Sequence, residues 1–190
     1  MRVAIFIGSS PGNDPAYADA AAALATHLAQ RRVGIVYGGG HVGLMGVVAD
    51  AALQAGGDVI GVIPRSLADA EVAHGALSHL EVVETMHERK ARMAQLADAF
   101  VALPGGIGTM EEFFEVWTWL QLGIHAKPVA LYDVEDFWAP MRTLVTSMVD
   151  AGFLRAEIAE KLIQVDDPDA LLAGIARWKP VAQRWSPPAP

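Results

Sequence analysis

Short apolar runs alternate with glycine turns and helix-forming segments along the first third of the chain. The apolar runs span residues 3–7, 33–37 and 58–63, and the segments between them, 15–30 and 43–55, are rich in helix formers. This alternation is typical of βαβ units, whose right-handed crossovers place parallel strands side by side. The pattern therefore predicts an α/β fold of the Rossmann-like, doubly wound type, with a mainly parallel sheet flanked by helices.

The later sequence continues the same alternation without a repeat or a domain linker. Further strands are predicted at residues 80–83, 99–103, 128–132 and 162–165, and helices at 84–97, 137–149 and 169–178. A further helix, which includes residues 113–120, is predicted to follow Thr109. Residues 65–79 lack clear periodicity and are expected to form a loop or irregular helix that could cover a pocket. We predict a single domain over residues 1–179, followed by a flexible proline-rich tail over 180–190.

Glycine turns follow three of the predicted strands. They are Gly8-Ser9-Ser10, the run from Gly38 to Gly40, and the run from Gly105 to Gly108. Ligands of open α/β sheets bind beyond the carboxyl ends of the strands, and glycine lets the backbone approach a ligand closely. The three turns therefore predict one shared ligand pocket.

The segment from Pro104 to Glu112 carries the most specific signal. Thr109 is expected to cap the helix that follows, with Glu112 at the spacing of a capping box. A helix start presents free N–H groups and a positive dipole end, which attract phosphate. Glu111 and Glu112 would repel a phosphate, so at least one of them is expected to serve another part of the ligand. The alternative is a tight strand-to-helix turn with no ligand.

Charge and residue usage exclude several kinds of function. The net charge of −8 disfavours a nucleic-acid partner, and the absence of cysteine excludes disulfides and a thiol nucleophile. The six histidines show no metal-ligand spacing, so neither a metal nor another cofactor is expected. No apolar run approaches membrane-spanning length, and a cytoplasmic location is expected.

Four segments of the chain resemble the LOG family, the cytokinin riboside 5'-monophosphate phosphoribohydrolases once labelled lysine-decarboxylase-like. Residues 104–112 match its PGGxGTxxE signature, and residues 86–93 match its MHxRKxxM segment. Residues 36–46 are similar to the family's VYGGGxxGLMG run, and residues 118–129 to its TWxQLGIHxKPV run. The resemblance covers roughly residues 1–165.

The resemblance implies hydrolysis of the N-glycosidic bond of an N6-modified AMP, giving the free base and ribose 5-phosphate. It implies Arg89 and Glu112 as the catalytic residues, Lys90 as a nucleotide-binding residue, and a homodimer. Glu71 and Thr118 correspond less closely to nucleotide-contacting positions. The full set of substrate-binding residues predicted here is Ser9, Gly39, Met45, Glu71, Arg89, Lys90, Gly105, Gly106, Ile107, Gly108, Thr109, Met110, Glu111 and Thr118.

The chemistry of this reaction assigns a role to each kind of residue. The sugar passes through an oxocarbenium-like state, which a carboxylate stabilises while it orients or deprotonates water, and we assign that role to Glu112. Glu111 would support it or contact the ribose. Backbone N–H groups of the glycine motif would hold the 5'-phosphate. Arg89 would bind near the ribose or phosphate and help to place the reacting end. It is not assigned as the acid, because a guanidinium does not readily give up a proton.

Two other functions remain open at this point. The same loops would serve a nucleotide-binding module without catalysis, although such a module needs no carboxylate beside a phosphate loop. A pyridoxal-phosphate decarboxylase would need a Schiff-base lysine, and the chain has four, Lys90, Lys127, Lys161 and Lys179.

The helix after the glycine motif also bears on assembly. Phe113, Trp117 and Leu120 form a stripe that is expected to pack against a second copy, the alternative being burial within one chain.

Overall fold

A computed structural model describes residues 1–70 and 73–180, which form a seven-stranded sheet flanked by eight helices. The strands are β1 (Arg2–Phe6), β2 (Gly34–Tyr37), β3 (Val59–Pro64), β4 (His79–Val83), β5 (Ala99–Ala102), β6 (Val129–Tyr132) and β7 (Ile163–Val165). The helices are α1 (Pro15–Gln30), α2 (Gly43–Gln54), α3 (Arg65–Asp69), α4 (Met86–Leu96), α5 (Ile107–Leu122), α6 (Ala139–Asp150), α7 (Ala156–Glu160) and α8 (Pro168–Arg177).

All six strand pairings in this sheet are parallel, and the strand order is β4-β3-β2-β1-β5-β6-β7. The chain runs outward from β1 to β4, then returns to the middle of the sheet and runs outward again from β5 to β7. The order therefore reverses between β1 and β5. That position is the topological switch point, beside which doubly wound folds bind their ligands. The Rossmann-like prediction is confirmed, with a sheet that is wholly parallel.

Helices cover both faces of the sheet, which explains why its central strands are apolar at every position. On one face, Val3 and Ile5 of β1 pack with α1, α2 and α8. On the other face, Ala4 and Phe6 pack with α4, α5, α6 and α7. The two apolar layers hold the loops at the carboxyl edge in fixed positions.

The predicted strands and the long helices occur within one or two residues of their expected ends, apart from the helix of the glycine motif. The 65–79 segment contains the single turn and a half of α3, and its residue Ala73 forms an antiparallel bridge with Gly40. The short helix α7 was not predicted.

The proline-rich tail lies outside the described residues except for Pro180. Among the residues described, no helix has the length and apolar composition needed to cross a bilayer.

Two predictions about α5 are wrong. The helix begins at Ile107 with Gly106 as its N-cap, so Thr109 lies inside the first turn and forms no capping box with Glu112. The glycines allow the chain to turn into the helix earlier than a side-chain cap would. The Phe113–Trp117–Leu120 stripe is buried within this chain, where the ring of Phe113 contacts those of Trp117 and Trp138, and is not available to a second copy.

Candidate active site

A cavity of about 450 Å³ opens at the carboxyl edge of the sheet, next to the switch point. Its walls come from β1, the loops after β1 and β2, the helices α2, α3 and α4, and the start of α5. The residues lining it are Ile5, Ile7, Ser9, Gly38, Met45, Leu67, Met86, Arg89, Gly106, Ile107, Gly108, Thr109, Glu111 and Glu112. The predicted convergence of three glycine turns is thus present as a single crevice.

A capping box fixes the start of α4, the helix that carries Arg89. The hydroxyl of Thr85 accepts a hydrogen bond from the Glu88 backbone N–H at 3.1 Å. The Glu88 carboxylate in turn accepts from the backbone N–H groups of Glu84, at 2.8 Å, and Thr85. These bonds satisfy N–H groups that a helix otherwise leaves free. They place the first turn of α4 against the cavity.

Arg89 is held on two sides. Its Nε donates to the backbone carbonyl of Val62 in β3 at 3.1 Å, and its Nη1 lies 3.1 Å from Oε1 of Glu112. A Cβ at Gly38 would collide with the guanidinium, so the glycine run after β2 makes room for this side chain. The Arg89 side chain is only 12% exposed. It is therefore an oriented cation with one edge turned to the cavity.

Glu112 is the buried carboxylate of the site, with 8% of the residue exposed. Burial raises its pKa because it disfavours the charged form, and the neighbouring charges of Glu111 and Glu115 act in the same direction. The guanidinium of Arg89 and the ammonium of Lys90 oppose that rise without cancelling it. A carboxylate with a raised pKa accepts a proton more readily than an exposed one, as a general base must.

Lys90 does not line the cavity and binds carboxylates of α5. Its Nζ forms ion pairs with Glu111 and, at 3.1 Å, with Glu115, and its side chain is 8% exposed. Burial alone would lower the pKa of this ammonium, but the hydrogen bonds and charges of Glu111 and Glu115 outweigh burial, and the net pKa is raised. Lys90 is consequently a fixed cation that joins α4 to α5.

The start of α5 faces the crevice with uncapped backbone N–H groups, because Gly106 has no side chain that could accept from them. Gly105, just before it, touches the loop after β1: Gly8 donates to the Pro104 carbonyl at 3.2 Å, and a Cβ on Gly105 would lie 2.8 Å from the Gly8 nitrogen. The two loops are thus in backbone contact at the switch point. An anion placed there would meet a helix N-terminus and the Ser9 hydroxyl.

A second cavity of about 270 Å³ adjoins the first and shares Ser9 and Gly106 with it. Gly105 lines this second cavity, together with the rings of Tyr17 and Phe137. The crevice therefore extends to both sides of the loop that starts α5.

Most predicted site residues line these two cavities. Besides Gly105, the main cavity brings together Ser9, Met45, Arg89, Gly106, Ile107, Gly108, Thr109, Glu111 and Glu112. Four predicted residues do not line either cavity: Gly39, whose carbonyl accepts from the His74 N–H, the partly buried Met110, the exposed Thr118, and Lys90. Glu71 lies outside the described residues.

The apolar part of the lining was missed. Ile5, Ile7, Leu67 and Met86 line the main cavity, and Gly38 borders it beside Arg89. Gly38 belongs to one of the three glycine turns from which the pocket was predicted, whereas Met86, three residues before Arg89 in the 86–93 segment, was a usable signal that was not used. No sequence signal marks Leu67, which the short helix α3 brings to the crevice.

Fold and site together define a doubly wound α/β protein whose switch-point crevice combines an uncapped helix start with a buried Arg–Glu pair. The family model described as "Possible lysine decarboxylase" matches residues 45–175. Cytokinin riboside 5'-monophosphate phosphoribohydrolase LOG2 of Arabidopsis thaliana is 44% identical over 179 residues, 94% of this chain and 84% of that protein. The corresponding LOG protein of Oryza sativa subsp. japonica is 48% identical over 162 residues, 85% of this chain and 66% of that protein. The chain belongs to the LOG family.

Solved structures support the fold at lower sequence identity. The molybdenum cofactor carrier protein of Chlamydomonas reinhardtii matches with a TM-score of 0.68 at 20% identity, over 93% of this chain and 96% of that one. The molybdenum cofactor binding protein of Rippkaea orientalis matches with the same TM-score at 19% identity, over 92% and 94% of the two chains. At this level of identity the likeness concerns the fold alone.

Proposed function

We propose that this protein hydrolyses the N-glycosidic bond of adenosine 5'-monophosphate or an N6-modified derivative, releasing the free base and ribose 5-phosphate. Relatives of 41–48% identity are named cytokinin riboside 5'-monophosphate phosphoribohydrolases, in one case as a probable one, and a cytokinin riboside 5'-monophosphate is an N6-modified derivative of this kind. The observation that carries the proposal is the buried Glu112 carboxylate, 3.1 Å from the Arg89 guanidinium and on the wall of the same cavity as the start of α5.

The start of α5 and the loop after β1 would hold the 5'-phosphate. Free N–H groups and the positive dipole end attract a dianion, and Ser9 adds a hydroxyl donor. A phosphate bound there fixes one end of the nucleotide. The sugar then lies about one helical turn further along α5, at the level of Glu112, because Thr109 and Glu112 are three residues apart.

Glu112 would act on the sugar. Its carboxylate stabilises the positive charge that develops on the ribose as the bond from C1' to the base breaks and the electron pair of that bond leaves with the base. Glu112 takes a proton from the water that attacks C1', and the base takes up one proton as it leaves, so that the carboxylate, the free base and ribose 5-phosphate are the species left at the end. Arg89 keeps the carboxylate oriented and offers its remaining N–H groups to the ribose or phosphate. Glu111 supports this arrangement by holding Lys90 at the side of α5.

A decarboxylase that uses pyridoxal phosphate fits the site poorly. A Schiff-base lysine must lose its proton, whereas the carboxylates of Glu111 and Glu115 keep Lys90 protonated by raising its pKa. Lys127 is bound to two backbone carbonyls and lies outside both crevice cavities. We therefore keep only the non-catalytic nucleotide-binding module as the second candidate.

Chromatography of the products separates these functions. The protein is incubated with AMP, with N6-isopentenyl-AMP and with adenosine, and free base and ribose 5-phosphate are quantified. We expect equimolar base and ribose 5-phosphate from at least one nucleotide, and far less base from adenosine, which lacks the phosphate. Nucleotide binding without base release would favour the module, and carbon dioxide release from lysine with pyridoxal phosphate would favour the decarboxylase.

We also propose that the protein is a homodimer, formed through a surface next to the buried stripe. Leu122 and Ile124 are 44% and 64% exposed at the end of α5, beside an apolar groove that Trp119 and Ala94 help to line. A second copy would cover these side chains. Light scattering should give a dimer for the wild type and a monomer for Ile124→Asp; a monomeric wild type would refute the proposal. The cytoplasmic location stays a prediction of the sequence.

A further inference from the structure

The segment between α5 and β6 connects the two helices that carry the Arg–Glu pair. The helix α5 ends at Gly123, which has a left-handed conformation with φ of 76°, and the Ile124 N–H returns to the Trp119 carbonyl at 2.9 Å. The following residues therefore fold back along α5 before β6 begins. His125 and Lys127 lie in this returning segment.

Lys127 binds the carboxyl end of α4. Its Nζ donates to the carbonyl of Ala94 at 2.7 Å and to that of Ala97 at 2.6 Å. Carbonyls at the end of a helix have no partner within it, and a cation there also complements the negative end of the helix dipole. The Lys127 side chain thus fixes the end of α4, five residues beyond Arg89.

His125 binds α5 from the same segment. Its Nδ1 accepts from the Lys127 backbone N–H at 3.2 Å, so the ring proton is on Nε2, which donates to the Val116 carbonyl at 2.8 Å. The ring also contacts Phe100 of β5, with centroids 5.0 Å apart. Burial lowers the pKa of His125, which keeps the ring neutral and this pattern of donor and acceptor intact.

We infer that His125 and Lys127 form a clamp between α4 and α5, and that Lys127 is a positioning residue that keeps Arg89 against Glu112. Ala94 is about 7.5 Å along α4 from Arg89. If the end of the helix is no longer held and α4 tilts or slides, the Arg89 guanidinium is therefore displaced with it. Neither clamp residue lines the two crevice cavities, so neither is expected to touch the substrate. The inference rests on the proposed function for its catalytic consequence only.

The clamp has a signature that lost stability alone would not produce. The charged groups facing Glu112 are Arg89 and Lys90 from α4, and Glu111 and Glu115 from α5. Only the two cations of α4 lower the pKa of Glu112. If α4 moves away, their attraction weakens, the pKa of Glu112 rises further, and the acid limb of the kcat/KM profile shifts to higher pH.

The test compares Lys127→Met with Lys127→Arg and with Lys161→Met, which makes the same chemical change beyond α7. For Lys127→Met we expect kcat to fall roughly tenfold with KM changed less than about threefold, and the acid limb to rise by about half a pH unit or more. Lys127→Arg keeps a cation next to the carbonyls of Ala94 and Ala97, and should have the kcat and the acid limb of the wild type. Lys161→Met should also match the wild type in both quantities. Light scattering confirms that the variants compared have one oligomeric state.

Carboxyl-¹³C NMR of labelled glutamates gives a readout that does not depend on turnover, with the Glu112 signal assigned from its loss in Glu112→Gln. The clamp predicts that the pKa of Glu112 is higher in Lys127→Met than in the wild type, and that it is unchanged in Lys127→Arg and Lys161→Met. A shifted pKa in a protein whose wild type releases no base would refute the proposed function and leave the clamp intact. An unchanged Glu112 titration overturns the clamp, whatever the melting temperature does. If Lys127→Met does not fold, Lys127→Gln, which keeps a neutral donor, is judged by the same criterion.

Discussion

Glu112 combines two properties that oppose each other, burial and negative charge. Folding removes its carboxylate from water, and Arg89 compensates only in part, so the pKa stays above its usual range. The protein therefore carries a destabilising group at the point where the proposed reaction needs a base. Such local cost is common at active sites, where stability is given up for function.

This cost predicts a stability that depends on pH. Because the pKa of Glu112 is raised by folding, the cost is absent below the unfolded pKa of about 4.3 and grows as the pH rises through the folded pKa. Glu112→Gln removes this titration but also leaves Arg89 without its carboxylate, so the prediction concerns the trend and not the sign at one pH. The melting temperature of Glu112→Gln relative to the wild type should rise as the pH rises from 4.5 to 8, by roughly 2–4 °C for each kcal/mol of cost that the wild type acquires. Thermal melts over this range test this, the exposed Glu160→Gln should show no such trend, and a difference between Glu112→Gln and the wild type that does not change with pH would contradict the assignment.

The glycines of the motif differ in what they do, and sequence could not separate them. A Cβ on Gly105 would collide with Thr109 and approach the Gly8 nitrogen to 2.8 Å, whereas a Cβ on Gly108 meets no protein atom within 4 Å. Gly105 is therefore required by packing between two loops. Gly108 is free of protein contacts at that point but lines the cavity.

Alanine at each position should therefore have different effects. Gly105→Ala forces the loops apart, and we expect a loss of about 1–3 kcal/mol of unfolding free energy. Gly108→Ala should keep the wild-type melting temperature but weaken AMP binding about tenfold, because its methyl group enters the space where the phosphate is proposed to bind. Thermal melts and calorimetric titration with AMP measure the two effects. Equal melting temperatures for both variants would contradict the packing role of Gly105.

At the scale of elements, the two helices of the site begin in different ways. The helix α4 starts with a side-chain capping box, Thr85 and Glu88, and α5 starts on a glycine that leaves its N–H groups open. The helix that needs a fixed start is capped, and the helix that would receive an anion is not. Both starts fit the S/T-x-x-E pattern, since Thr109 and Glu112 have the same spacing as Thr85 and Glu88. The pattern alone could not show that α5 would begin at Ile107, with Gly106 and not Thr109 as its N-cap.

Removing the cap of α4 should affect stability and catalysis together. Thr85→Ala loses the acceptor for the Glu88 N–H, which costs about 1 kcal/mol. Because Arg89 is the fourth residue of α4 and its N–H donates to the Thr85 carbonyl at 3.1 Å, we expect kcat to fall several-fold as well. Thr143→Ala, on an exposed face of α6, is the matched control. Chemical denaturation measures the stability and steady-state kinetics measure kcat. A loss of stability with an unaltered kcat would show that the cap does not position Arg89.

At the scale of the whole molecule, the sequence predicts the sheet and the edge where ligands bind. Buried parallel strands are apolar at every position, and glycine turns mark their carboxyl ends, so both features are visible in the sequence. Contacts between distant segments are not visible in this way. The switch point between β1 and β5, the direction of Lys90 towards α5 and the contribution of Leu67 all depend on how the elements pack.

The most direct test of this account compares Glu112→Gln with Glu111→Gln. Both changes remove one carboxylate from the same turn of α5, but only Glu112 is buried against Arg89. We expect Glu112→Gln to bind AMP within a few-fold of the wild-type affinity while kcat falls about 10²–10⁴-fold. For Glu111→Gln we expect a much smaller fall in kcat. A Glu112→Gln enzyme that releases base at the wild-type rate would contradict the central claim.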